Sequence, residues 1–385
     1  MYQLSFSLSE FLQKYWQKQP TVIRSGFKHF HDPISPEELA GLSMEHEVDS
    51  RFVSNLDNNW IAEHGPFSED KFTSLTETNW SLIVQAANHW HSGAAQLIQP
   101  FKTMPHWLFD DLMISYSVDG GGVGPHIDQY DVFIIQGLGK RRWRVGAKDT
   151  GQYVETCRAS ALRQIESFDA VIDDILQPGD ILYIPPGFPH DGYALQPSMS
   201  YSIGFRSPKE QELVSNFADY LLANDLGDTH IDTPELATQQ NFAEITANDF
   251  TALTTALRSS LDNQTQLAEF IGCMLSQSRH QLNIIVPDLP WQANEIAEYL
   301  QSGNQFIRVA GLRALYLQGN LNTIYINGEI FHLSPQQMSL ASILCNQETL
   351  SLEQLSDQLS DDELEQQIVL LFQTLVNKGY WYCEE

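Results

Sequence analysis

GGGVGPHIDQYDVFIIQGLGKRRW, residues 120–143, joins a glycine run, a His-x-Asp pair and two β-prone segments. His126 and Asp128 fall where the pattern reads as a strand. Along a strand, residues i and i+2 face the same side, so imidazole and carboxylate project into one space. They supply two ligands of the two-His-one-carboxylate site that holds non-haem Fe(II) and leaves other coordination positions open. A three-residue pattern recurs by chance, so the reading depends on finding a third ligand.

Residues 179–190, GDILYIPPGFPH, read as a strand entering a Pro-Pro-Gly turn with His190 at its exit. Prolines fix the backbone with little entropy left to lose, which suits a side chain that must meet two others across a barrel. The spacings G-x5-H-x-D and then G-x5-P-x-G-x2-H are those of the double motif of cupin-type barrels. Residues 111–206 divide into short strands (LMISYSV, DVFIIQ, RRWRVG, DAVIDDILQ, DILYI, SMSYSIGF) separated by turn residues. That pattern argues for an antiparallel barrel or jelly roll. A barrel that had lost its metal would have no need of all three ligands.

In KRRWRV, residues 140–145, period two puts Arg141, Trp143 and Val145 on one face. Trp143 and Val145 belong inside, so Arg141 is carried inward with them. A buried guanidinium is costly unless an anion meets it, and a carboxylate gripped by two N–H groups is the best match. A carboxylate-bearing ligand is one reading; an internal salt bridge with an acid such as Asp131 is the other. On the preceding strand Ser115, Ser117 and Asp119 share a face, either lining a pocket or facing solvent.

Other histidines are weaker candidates. Residues 80–104 carry helical periodicity through Leu82, Ile83, Ala86 and Trp90. On such a helix His89 and His91 would diverge by roughly 200°, too far apart to share an ion. His29 and His31 run into Asp32-Pro33, a loop signal.

Outside the barrel region, Ser7 to Glu10 and Ser35 to Glu38 are helix-start signals, the second with Pro36 at the first helical position. TVIR at 21–24 reads as a strand and 51–66 as a hairpin. After 207 the strands cease. An amphipathic helix at 209–226, a polar linker GDTHIDTP, and helices at about 235–262 and 265–281 follow. The last unit reads as helix 292–302, strands 306–317, 322–326 and 329–333, helices 335–345, 352–359 and 361–377, then a strand YWYC. This order suggests a winged helix. Arg308, Arg313 and Lys378 are its only cations, too few for a row of phosphate contacts, so a protein-contact or scaffold role is expected.

The chain has 385 residues, 21 Lys+Arg against 49 Asp+Glu and a net charge of −28. Such a surface repels nucleic acid and attracts basic proteins; it also simply promotes solubility. No apolar run approaches a membrane span, the N-terminal stretch lacks signal-peptide character, and Cys157, Cys273, Cys345 and Cys383 form no C-x-x-C pair. A soluble cytoplasmic protein is expected.

These stretches resemble the bacterial ribosomal oxygenases, JmjC-type enzymes dependent on Fe(II), 2-oxoglutarate and O2. The resemblance extends through WQKQPTVIRSGF, DPISPEELAGL, FADYLL, SQSRH and NKGYWY, nearly the whole chain. It implies an α+β protein: a JmjC double-stranded β-helix with N-terminal helices (1–207), a helical dimerisation segment (208–285) and a winged-helix domain (286–385). It implies hydroxylation of the β-carbon of an arginine in a basic large-subunit ribosomal protein by a homodimer. His126, Asp128 and His190 would bind iron; Arg141, Ser115 and Ser200 would hold 2-oxoglutarate; Ser117 and Asp119 would hold the substrate arginine. The rival readings are a metal-cupin hydrolase or isomerase and a non-catalytic ribosomal-protein binding module.

Overall fold

The computed structural model describes residues 2–56, 59–156, 162–232, 238, 240–356 and 362–383. Cys157 and the far end of the helix expected at 352–359 lie outside them, as do parts of the linker and helix expected around 227–240. The strands of the first half are β1 (Thr21–Ile23), β2 (Ser50–Ser54), β3 (Ile61–His64), β4 (Trp80–Val84), β5 (Phe109–Ser117) and β6 (His126–Ile127). They continue as β7 (Asp131–Gln136), β8 (Arg141–Gly146), β9 (Ala170–Leu176), β10 (Ile181–Ile184), β11 (Pro189–Ala194) and β12 (Ser198–Phe205). Among the described residues they form an eight-stranded sheet, ordered β1-β10-β7-β12-β5-β4-β2-β3, and a four-stranded sheet, ordered β6-β11-β8-β9. Pairing is antiparallel. The barrel expected from 111–206 is present, as two antiparallel sheets enclosing one interior.

Side-chain parity explains the layers. DVFIIQ of β7 is buried at every position, as a strand covered on both faces must be. Phe133 and Ile135 join an outer cluster with Phe11, Leu39, Leu97, Phe101, Tyr183 and Phe205. Val132 and Ile134 face the other way and pack with Trp143, Val145, Leu176 and Leu182. The outer layer comes from the N-terminal helices. In Leu8–Lys14 the Ser7 hydroxyl accepts the Glu10 N–H, and Phe11 meets Phe133 and Tyr183 at ring-centroid distances of 5.1 and 4.9 Å. In Pro36–Leu42 the Ser35–Glu38 capping box forms in full.

The helix expected over 80–104 is not there. Residues Trp80–Val84 are β4, buried at all five positions between β5 and β2. A run of Trp, Leu, Ile and Val suits a strand buried on both faces as well as a helix face. The chain then turns through Ala86, at φ +49°, into a short 3-10 turn Ala87–His89 and the helix Ser92–Gln96.

By contacts the chain forms two compact units, 1–207 with 278–312 and 370–385, and 208–277 with 313–369. In the first, helix Ala293–Gln301 and the strand pair Gln305–Arg308 and Trp381–Cys383 gather Phe306, Phe372 and Trp381 into a core. The single strand expected over 306–317 is broken: Gly311, at φ +79°, turns the chain before Ala314–Leu317. In the second unit, helices Glu210–Ala223 and Gln264–Ser276 pack through Phe217 and Phe270. The sheet Ala314–Leu317, Asn320–Ile326, Glu329–His332 places Tyr325 against Gly272. The helix expected from about 235 begins at Ala247, because Thr246 and Asp249 form its capping box there.

Phe133 ties this architecture together, fully buried and touching rings of Phe11, Trp16, Phe101, Tyr183 and Phe205. Phe133→Ala is expected to cost about 3–5 kcal/mol of stability, read from denaturant unfolding by far-UV circular dichroism.

Candidate active site

His126 and His190 are direct partners across the β6–β11 pairing. Their rings lie 4.2 Å apart between centroids. Asp128 follows the end of β6, and its Oδ2 lies 3.8 Å from His126 Nε2 and 3.7 Å from His190 Nε2. One ligand atom from each residue falls within 4.8 Å of the others. The ring nitrogens on the far side are fixed: His126 Nδ1 donates to Gly124 O at 2.8 Å and His190 Nδ1 to Phe188 O at 3.1 Å. With Nδ1 protonated, both Nε2 lone pairs are left for a metal, the usual second-layer arrangement of ligating histidines. Burial, helped by His126 and opposed by Asp128, pulls His190 down to about 4, so it is neutral at physiological pH as a metal ligand must be. The Pro-Pro-Gly turn links the two motifs. Gly187, at φ +83°, donates its N–H to the Asp128 carbonyl at 2.8 Å. Two imidazoles and a carboxylate with an open side fit Fe(II).

Arg141 is 5 % exposed and faces the interior from β8. Its Nη1 donates to Ser115 Oγ at 2.8 Å and its Nε to Ser198 Oγ at 2.9 Å; Nη2 donates to the Ser115 and Ser198 carbonyls at 3.0 and 3.1 Å. All these acceptors are neutral. Burial lowers its pKa to about 9, against an opposing influence of Tyr201. Among the described residues no acid pairs with it. The alternative partner, Asp131, lies on the other face of its sheet and accepts from Tyr183 Oη at 2.5 Å and Gln17 Nε2 at 3.0 Å. A desolvated cation held by neutral groups keeps an uncompensated charge that an incoming anion could meet.

The three candidate ligands and Arg141 line one cavity with Ser115, Ser117 and Ser200. Ser117 also bonds Ser81 across β4 and β5, Oγ to Oγ at 2.6 Å. Asp119 is placed differently: it follows the end of β5, is exposed, and does not line the cavity. Sequence reasoning missed two serines. Ser198 shares strand parity with Ser200, so period two alone could have marked it. Ser81 was hidden because its strand read as a helix. Tyr130 was also missed; it lines the cavity, and burial and the charge of Asp128 raise its pKa well above the usual phenol value.

Three of the other histidines make structural contacts. His89 Nδ1 bonds the Gln281 carbonyl at 2.8 Å, and His91 caps the helix after it by accepting the Ala94 N–H. His31 stacks on Tyr2. Asp110, Asp111 and His280 also cluster at ligand-like distances. There, however, Asp111 accepts from Gln85 Nε2 and the Ala86 N–H, and Asp110 pairs with Arg279 at 3.0 Å.

Comparison with known proteins agrees with this geometry. Residues 96–213 match the JmjC domain model and residues 256–382 the ROXA-like winged helix. The chain is 46 % identical over 383 residues to the ribosomal protein uL16 3-hydroxylase of Escherichia coli, covering 100 % of this chain and 99 % of that protein. It is 32 % identical to a probable ribosomal oxygenase of Haemophilus influenzae, covering 83 % of this chain and 80 % of the relative. The solved structure of the Escherichia coli ribosomal oxygenase YcfD in complex with cobalt and 2-oxoglutarate superposes with a TM-score of 0.90 at 46 % identity, with 100 % of both chains covered. With three candidate ligands, a buried cation in the same cavity and this likeness along its full length, the chain belongs to the JmjC ribosomal oxygenases.

Proposed function

We propose that this protein is a 2-oxoglutarate- and Fe(II)-dependent oxygenase that hydroxylates the β-carbon of an arginine in a large-subunit ribosomal protein. The observation that carries the reading is Arg141, a buried cation that no acid among the described residues pairs with, in the same cavity as two imidazoles and a carboxylate. His126, Asp128 and His190 hold the iron. Bound there with 2-oxoglutarate and O2, the metal supplies the oxidising power for a C–H bond, with succinate and CO2 as co-products. Arg141 grips the far carboxylate of 2-oxoglutarate, oriented by Ser115, with Ser200 on the same wall. Ser117 and Asp119 take the substrate arginine, Asp119 by pairing with its guanidinium from beyond the end of β5. The protein's part is placement and exclusion of water.

The surface suits the substrate. A net charge of −28 favours encounter with a basic ribosomal protein, in the cytoplasm where such proteins are made. No helix among the described residues is long and apolar enough to cross a membrane. Nucleic acid is not expected as a direct partner, since Arg308 and Arg313 of the C-terminal region are buried. The working division is a catalytic barrel (1–207), a helical dimerisation segment (208–285) and a winged helix (286–385). Leu222 and Leu257 stand 76 % and 72 % exposed on helices Glu210–Ala223 and Ala247–Ser259, with Phe250 at 64 %. A second copy of the chain would cover these side chains, giving a homodimer.

Mass spectrometry of the ribosomal protein should show a gain of one oxygen atom on an arginine, dependent on 2-oxoglutarate; no mass change under saturating co-substrate refutes the activity. Arg141→Ala should retain Co(II) binding and lose succinate formation, whereas wild-type succinate yields from that variant would remove the anchor. Asp119→Ala should keep uncoupled 2-oxoglutarate turnover while weakening substrate-peptide binding, and an unchanged peptide affinity counts against its role. In sedimentation, a chain carrying Leu222→Glu and Leu257→Glu together should run as a monomer; a persistent dimer argues against this face.

A further inference from the structure

Pairing of β11 with β8 sets His190 opposite Val145, Gly192 opposite Trp143 and Ala194 opposite Arg141. Between the metal ligand and the anchoring cation lie four residue steps of antiparallel strand, roughly 13 Å. Trp143 stands midway, on the interior face of β8 with Arg141, and lines the cavity. A diacid chelating at one end and reaching Arg141 at the other has to pass it.

The orientation of the indole is set by backbone. Its six-membered ring lies against Gly192 so closely that a Cβ at that position would come within 2.5 Å of ring carbons. Any larger residue at 192 would push the ring off its seat and across the cavity. The indole Nε1–H is buried and, among the described residues, has no acceptor, while Trp143 as a whole is 8 % exposed. An unpaired buried donor is unfavourable until an acceptor arrives. Arg141, by contrast, already spends most of its donors on Ser115 and Ser198. A carboxylate docked there gains from a further N–H nearby.

Resting on the assignment of Arg141 as the 2-oxoglutarate anchor, we propose that Trp143 is a second co-substrate-binding residue, its indole N–H donating to a carboxylate oxygen of the diacid and Gly192 acting as the seat that aims it. The test is calorimetric titration of 2-oxoglutarate into the Co(II)-loaded full-length protein. Trp143→Phe keeps an aromatic ring over Gly192 and removes the donor. Its 2-oxoglutarate Kd should rise about tenfold or more, as for loss of one charge-assisted hydrogen bond, while its Co(II) affinity stays at the wild-type value. Equal weakening of Co(II) and 2-oxoglutarate would reveal a merely structural role and overturn the proposal, as would a 2-oxoglutarate Kd matching the wild type. Gly192→Ala retains the N–H but displaces the ring, so it too should weaken 2-oxoglutarate; wild-type binding by this variant would remove the seat. Arg141→Ala separates the two levels. Undiminished 2-oxoglutarate binding in Arg141→Ala defeats the anchor itself, whereas loss there with none in Trp143→Phe defeats only the role of the indole.

Discussion

Strand β11 is hydrogen-bonded on both sides, to β6 and to β8, and the chemistry hangs on those two registers. One pairing brings His190 opposite His126; the other lines up the interior residues of β8 between His190 and Arg141. A slip of one residue in either would turn every side chain to the opposite face. His190 would then leave the cavity, or Arg141 would face solvent. The Pro-Pro-Gly turn guards against this where β11 begins, because Gly187 is tied to the Asp128 backbone as well as leading to His190.

Around this frame the protein separates a polar interior from an apolar outer layer. The interior of the barrel holds a cation among serines, with apolar walls from Val132, Ile134, Leu182 and Trp143. The outer face of the large sheet is packed with aromatic rings from the N-terminal helices. Rigid packing on that side fixes β5, β7 and β12, from which Ser115, Ser198 and Ser200 project. Orientation of Arg141 thus depends on residues far from the candidate metal ligands, as tight placement of a functional group requires.

Much of the site was legible in the chain because a strand's period of two is a strong rule. His126 with Asp128, and Arg141 with Trp143, could be assigned to shared faces from spacing alone, and the second motif supplied His190. Legibility failed where the rule was applied to the wrong element or carried past an element's end. Trp80–Val84 lies within a longer stretch of helix-like periodicity, so Ser81 was lost with its strand. Asp119 was read as continuing the Ser115–Ser117 face, yet β5 stops at Ser117 and Asp119 is exposed beyond its end. Gly192 gave no signal, since only the ring lying across it reveals why a side chain is excluded there. The connection of 278–312 with the N-terminal half is likewise a matter of long-range contact, which local pattern does not encode.

The hydrogen bonds of Asp131 carry one more consequence. This carboxylate sits on the same strand as the interior residues Val132 and Ile134, and a free anion inside the barrel would neutralise Arg141 and compete with every incoming diacid. Opposite strand parity points it outward, where the phenol of Tyr183 and the amide of Gln17 occupy its oxygens. The N-terminal segment therefore does more than cover a sheet. By sequestering an internal rival for the cation, it keeps that charge uncompensated; with Arg141 as the proposed anchor, affinity for the co-substrate would be partly stored in a contact the co-substrate never touches.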